Sequence, residues 1–140
     1  MVKKIIIILL CTITSNVAEA TELPFLKPNC PNIESILKTT LADTDELVRK
    51  LNDLIPIAYP DNEYNKWNVI KIVPLPSVIG VQYDDAYYRI AIRLCGEPIA
   101  NNSWIVKVEF PKLLPSTSPS GIFFVVKTKN SGWNVWYSYR

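Results

Sequence analysis

The sequence predicts an α+β protein, in which an N-terminal helical segment packs on a four- to five-stranded antiparallel meander sheet. Two observations predict this class. An apolar stripe with spacings of three, four and seven residues runs from Ile33 to Ile55, and from Trp67 onward the apolar period changes to two. Helical residues that come first and strands that come afterwards are typical of α+β domains.

The first segment of the chain has the pattern of a secretory signal. Two lysines precede the apolar run Ile5–Leu10, and small residues follow up to Ala20. The apolar run is shorter than the about 20 residues that a membrane-spanning helix needs. We therefore expect a signal peptide over residues 1–20, cleaved near Ala20, and one exported domain over residues 21–140 that is secreted or periplasmic.

The cysteines agree with export. Cys11 lies inside the predicted signal, which leaves Cys30 and Cys95 in the mature domain. Because export delivers the chain to an oxidising compartment, an even pair predicts a disulfide. Two alternatives stay open at this point: Cys30 and Cys95 as unpaired buried thiols, and Cys11 as the lipidated residue of a lipoprotein.

The composition of the mature domain excludes several function classes. Residues 21–140 carry 13 basic and 12 acidic residues, a net charge of +1, which predicts binding neither to nucleic acid nor to an anionic membrane. The chain has no histidine. Ser-His-Asp and Cys-His catalysis are therefore excluded within this chain, and the commonest zinc ligand is missing. We expect no cofactor and no metal.

The helical segment follows a proline-containing, extended lead-in. Asn32 is a plausible N-cap, and Pro56 ends the stripe. The polar run Ala42–Glu46 interrupts it, and Thr44 could cap a second helix there. The segment is thus one bent helix or two short, nearly continuous ones, with the second alternative favoured because the stripe keeps its phase.

Five segments then have strand character. They are Trp67–Val73, Tyr87–Cys95, Ser103–Phe110, Ile122–Thr128 and Trp133–Tyr139. Their half-polar alternation predicts a sheet with one covered face and one solvated face. Asn130-Ser131-Gly132 is a hairpin turn signal, residues 96–102 suit a second hairpin, and residues 111–120 predict a surface loop between neighbouring strands.

A helix followed by such a meander resembles the cystatin-like and NTF2-like architecture, in which a curved sheet wraps a helix. The ending Gly132–Tyr137 looks like the last strand of many NTF2-like domains, whereas the cystatin inhibitory motif Gln-x-Val-x-Gly is absent. The runs Arg93–Gly96 and Ser103-Trp104, with the Gly-Trp ending, also look like small exported bacterial proteins of unassigned activity. This resemblance implies export from the cytosol and implies no particular reaction.

The aromatic residues of the strands make the first candidate site. They either pack within the sheet or form an exposed platform edged by arginines, a composition that suits a protein partner or a sugar ring. Arg89 and Arg93 stand four residues apart, so they share a face and could clamp an anion. The candidate binding residues are Tyr87, Arg89, Arg93, Trp136 and Arg140.

Carboxylates make two further candidates. Asp84-Asp85 could supply an acid and a base or bind calcium, but two aspartates before a strand usually form a turn. Asp61 and Glu63 start a pattern that lacks the later residues of an EF-hand, so a solvated loop is the better interpretation.

Three function hypotheses result. The first is an exported, non-enzymatic module that binds an envelope or extracellular protein. The second is a histidine-free hydrolase that uses two carboxylates, which would have to stand about 5 to 10 Å apart across a cleft. The third is an inhibitor of an extracellular enzyme. The sequence leaves the oligomeric state open.

Overall fold

The computed structural model describes residues 27–76, 82–114 and 119–139, with side chains from residue 86 onward in the second of these ranges. The predicted signal peptide and its cleavage site therefore lie outside the described residues, as does Arg140. Among the described residues, no helix has both the length and the apolar character that crossing a bilayer requires.

Three helices and four strands make up the described fold. They are α1 (Thr44–Ala58), β1 (Asn68–Pro74), α2 (Gln82–Cys95), α3 (Glu97–Ala100), β2 (Ser103–Glu109), β3 (Ser120–Thr128) and β4 (Gly132–Tyr139). The strands form one antiparallel sheet in the order β1-β2-β3-β4, so each strand lies beside its neighbour in sequence. This confirms the α+β class and the meander.

Helix α1 is the second half of the predicted helical segment. Its buried residues are Leu47, Leu51, Leu54, Ile55 and Ala58, which recur at helical spacing and pack on the sheet. The helix continues two residues beyond the predicted end at Pro56, and the Tyr59 N–H still donates to the Ile55 carbonyl (2.8 Å).

The N-terminus of α1 is held to the end of β3 by charge. Lys127 Nζ lies 3.0 Å from Asp43 Oδ1 and also contacts Glu46. The Thr40 N–H donates to the Asp43 carboxylate, and this bond, with help from Lys127, lowers the pKa of Asp43. Thr44 is the first residue of α1 rather than its cap.

The prediction of a helix is wrong for the first half of the predicted helical segment. Ile33–Ser35 form a short 3₁₀ turn capped by Asn32 Oδ1, after which the chain is extended. Ile36 bridges Thr128, and the Leu37 N–H donates to the Lys127 carbonyl (2.8 Å). The end of β3 thus satisfies backbone groups that a helix would have used internally. We name residues 27–40 the N-terminal strap.

The predicted strand Tyr87–Cys95 is also wrong, because these residues belong to helix α2. Their alternation of apolar and polar residues fits a strand, but the same residues also contain an apolar stripe with helical spacing. Tyr87, Tyr88 and Ala91 pack on the sheet, whereas Arg89 and Arg93 are exposed one turn apart. Tertiary packing decides between the two periods here.

Helix α2 covers the face that the sequence suggested was solvated. Phe123 and Val125 of β3 face α1, and the intervening Ile122, Phe124 and Val126 face the α2 side. A strand that is buried on both faces has a continuous apolar run, which is what Ile122–Val126 displays. The prediction of one solvated face is therefore wrong.

The connection between α2 and β2 differs from the predicted hairpin. Gly96 has a φ of 88°, a conformation that favours glycine, and it lets the chain turn directly into α3. The turn at Asn130–Gly132 is confirmed as the link between β3 and β4, and the loop after β2 does join neighbouring strands.

Candidate functional site

A disulfide ties the strap to the end of α2. Cys30 and Cys95 are bonded, with their Cα atoms 5.5 Å apart, as the cysteine count predicts. Next to it, the Asn29 N–H donates to the Trp136 carbonyl of β4 (2.8 Å), at the irregularity in the β3–β4 pairing. One covalent bond and several backbone hydrogen bonds therefore fix the position of the strap.

The strap and the β3–β4 hairpin border a half-open groove of about 230 Å³, which we name the amide groove. The strap lines one side with Asn29, Pro31, Asn32 and Ser35. The hairpin lines the other side with polar residues, which are Thr128, Asn130, Ser131 and Asn134. Val126, Val135 and Trp136 complete the lining. None of the described residues that line the groove carries an ionisable side chain.

A hydrogen-bond network makes the hairpin side rigid. The Asn134 amide nitrogen donates to Thr128 Oγ1 (2.9 Å), Ser131 Oγ (3.0 Å) and the Gly132 carbonyl (2.7 Å). Ser131 Oγ in turn donates to Asn134 Oδ1 (3.3 Å). Because these bonds use the donors of Asn134, this residue shapes the groove rather than offering hydrogen bonds to a ligand.

Two other asparagines keep their side-chain groups available. Within the described part of the chain, the amides of Asn29 and Asn130 make no side-chain hydrogen bond, and both residues are exposed. Each amide offers two donors and one acceptor oxygen. Asn29 stands on the strap side and Asn130 on the hairpin side, so each side of the groove has a lining residue with an unused amide.

Trp136 of the predicted binding set is buried rather than exposed. The residue is 3% exposed, and its indole N–H donates to Ser103 Oγ (3.1 Å), which donates to the Ile99 carbonyl (2.7 Å). Trp104 and Trp133 are likewise buried, on the opposite face. The aromatic residues of the strands therefore form cores on both faces and do not make an exposed platform, because helices cover both faces.

The other predicted binding residues lie on or near α2. Arg89 and Arg93 are exposed on its outer side, and Tyr87 is half-buried, with its ring centroid 6.4 Å from that of Tyr139. Burial, reinforced by Tyr87 and Tyr137, raises the pKa of Tyr139 well above the usual tyrosine range. Arg140 lies outside the described residues, so the set is brought together only in part.

The carboxylate candidates have different surroundings. Asp84 and Asp85 lie in the first turn of α2 rather than in a turn before a strand. Acidic residues at this position suit the positive end of a helix dipole, a signal that points to a helix start. Asp61 and Glu63 are exposed in the connection between α1 and β1. The described residues hold no group of acidic or cysteine side chains that could bind a metal.

The amide groove was missed by the sequence analysis. Its two sides are about 100 residues apart in sequence, and nothing in the pattern of asparagines connects them. The disulfide was the one usable signal, because Cys30 stands between Asn29 and Pro31. Comparisons with known proteins give no counterpart: no protein-family model, no curated protein and no solved structure matches this chain.

Proposed function

We propose that this chain is an exported, non-enzymatic module that binds a target outside the cytosol through the amide groove. The observation that carries the proposal is the groove itself, a fixed concave site with unused amides on both of its sides. Concave sites with a few convergent polar groups are the usual places of ligand binding.

Export is supported by the disulfide and by the N-terminal pattern together. Disulfides such as Cys30–Cys95 persist in oxidising compartments and are rare in the cytosol. The basic residues and the apolar run that follows them, ending near Ala20, have the pattern of a secretory signal peptide. We therefore propose a secreted or periplasmic location, with a mature chain that starts near Thr21.

Binding is favoured over catalysis by the chemistry of the groove. Asparagine, serine and threonine side chains donate and accept hydrogen bonds, but they do not exchange protons near neutral pH without an activating partner. The described lining supplies no such partner.

Export is tested by the mature protein. We expect the full chain, expressed in a bacterial host, to be recovered outside the cytosol with its N-terminus near Thr21 and without free thiols. A protein that is retained in the cytosol, uncleaved and with both Cys30 and Cys95 open to thiol labelling would contradict export.

Binding is tested by capture from the native envelope with the exported protein as bait. The test variant is Asn29→Ala with Asn130→Ala, because neither side chain makes a hydrogen bond within the described residues. The matched control is Asn52→Ala, an exposed asparagine on α1. We expect the double variant to lose captured targets that the wild type and the control retain. Equal capture by all three proteins would overturn the groove as the binding site.

A further inference from the structure

We infer that the amide groove takes an uncharged carbohydrate, with one sugar ring seated between the strap and the β3–β4 hairpin. The inference rests on the proposed function and names its ligand class. It follows from four properties of the groove: its lack of charge, its unused amides, its apolar patches and its size.

The lack of charge excludes most other small ligands. A phosphate or carboxylate group is held by arginine, lysine or several converging N–H groups. The described lining has no ionisable side chain, so it offers an anion no compensating charge. A wholly apolar ligand is excluded as well, because it would bury amides such as Asn29 and Asn130 without partners.

The unused amides match sugar hydroxyls. A hydroxyl group both donates and accepts hydrogen bonds, and each free amide of Asn29 and Asn130 does the same through its nitrogen and its oxygen. Neighbouring hydroxyls on one ring can thus pair with both atoms of one amide. Asn32 adds its amide nitrogen, since its oxygen already accepts from the Glu34 N–H (3.0 Å).

Apolar atoms and size fit a single ring. Pro31 and Val135, which are both partly exposed, give the groove apolar patches for the C–H faces of a sugar. Val126 and Trp136, in contrast, are buried beneath them. The volume of about 230 Å³ is below the roughly 300–1,000 Å³ of pockets for drug-sized ligands. One ring, either free or at the end of a glycan, suits this space.

A peptide strand fits the groove less well. Peptides that add to a sheet bind its free backbone groups. Here the Asn29 N–H already occupies the Trp136 carbonyl, so the strap itself takes that position on β4. Asn29 and Asn130 offer side-chain amides in the groove, and these groups can pair with the hydroxyls of a sugar ring.

The test is an NMR titration of the ¹⁵N-labelled, exported protein. The probes are glucose, galactose, mannose and N-acetylglucosamine at millimolar concentrations, with inorganic phosphate and a capped trialanine peptide in separate arms. We expect at least one sugar to shift the side-chain amide signals of Asn29 and Asn130, and phosphate and peptide to shift neither. The double variant Asn29→Ala, Asn130→Ala should weaken sugar binding about tenfold, or about 1.4 kcal/mol, and Asn52→Ala should leave it unchanged.

The outcomes separate this inference from the proposed function. If none of the four sugars shifts the groove signals, the carbohydrate inference is overturned, and groove-dependent capture from the envelope would still support a binding module. Shifts caused by the peptide alone would assign the groove to a protein target. Sugar shifts that survive in the double variant would place the sugar elsewhere and overturn the inference too.

Discussion

The two faces of the sheet are covered in different ways. Helix α1 buries five residues on one face and forms a dense core with Trp104, Phe123 and Trp133. On the other face, Ala91 is the one fully buried residue among the α2 side chains that the structure describes, and its apolar neighbours are half-buried. That second layer also includes α3 and the strap, which come from distant parts of the chain.

This difference explains where the disulfide lies. Helix α1 buries five side chains against the sheet, and apolar burial of this kind is the main favourable contribution to folding. The α2 layer buries less of each side chain, and the Cys30–Cys95 bond ties its helix to the strap. We conclude that the covalent bond holds the less densely packed face, and that the amide groove depends on it because the strap forms one of its sides.

The largest effect is expected from removing the disulfide. Cys30→Ser with Cys95→Ser should lower the free energy of unfolding by about 4 kcal/mol, the chain-entropy value for a loop of this length. The sequence separation of the two cysteines is 65 residues. Urea unfolding of the variant and the wild type measures the loss, and a loss well below 1 kcal/mol would show that packing alone holds the α2 layer.

The dense layer is probed by Gly121→Ala. A Cβ at residue 121 would overlap the Tyr59 hydroxyl, which lies within hydrogen-bond distance of the Ile122 (3.0 Å) and Tyr139 (2.9 Å) carbonyls. Overpacking of this kind costs about 1–3 kcal/mol. In a Tyr59→Ala background the cost should vanish, and an unchanged cost in that double-mutant cycle would contradict the contact.

An effect of similar size is expected from the buried serines on the two faces. Ser103→Ala removes the partner of the Trp136 N–H and should cost about 1–3 kcal/mol, because that donor then stays buried without a bond. Ser138→Ala is the matched control on the α1 side, where Ser138 Oγ donates to the Ala58 carbonyl (3.1 Å). We expect the denaturant midpoint to fall more for Ser103→Ala than for Ser138→Ala. The opposite order would contradict this prediction.

The smallest effect is a loss of stability in alkali. The folded protein raises the pKa of Tyr139 above its ordinary value of 10.0, mainly by burial. The stability that the buried, neutral Tyr139 contributes is therefore complete below pH 10. It is lost as the pH rises above 10, because the tyrosine ionises in the unfolded chain while it is still neutral in the folded protein. The melting temperature should fall above pH 10, and less steeply for Tyr139→Phe. Identical pH profiles would show that this tyrosine is not responsible.

The sequence was sufficient to predict the strands of the sheet, but it was not sufficient to predict the elements that cover the second face of the sheet. Alternation and turn signals predict β1 to β4 because short strands with one clear period have few alternatives. Tyr87–Cys95 fits both periods, so only packing against Phe124 and Trp136 decides it. The strap is extended because it finds backbone partners in the Lys127 carbonyl of β3 and in the N–H of Lys129, just after that strand. No local pattern reveals these partners.

The candidate site shows the same limit. The Cys30–Cys95 bond was predictable because it depends on the number of cysteines and the compartment. The amide groove was not, because it exists only where Asn29 meets a hairpin about 100 residues away. Trp136 was kept as a candidate for an exposed surface because the alternation in most strands indicated one solvated face, although the continuous apolar run Ile122–Val126 is typical of a strand buried on both faces.

Hydrogen exchange with and without a reducing agent tests the central claim most directly. We expect reduction of Cys30–Cys95 to speed amide exchange in the strap and α2 while α1 and β3 stay protected, because only the less densely packed layer depends on the bond. Equal acceleration in α1 and α2, or no acceleration in α2, would contradict the claim that the disulfide holds one face and its groove.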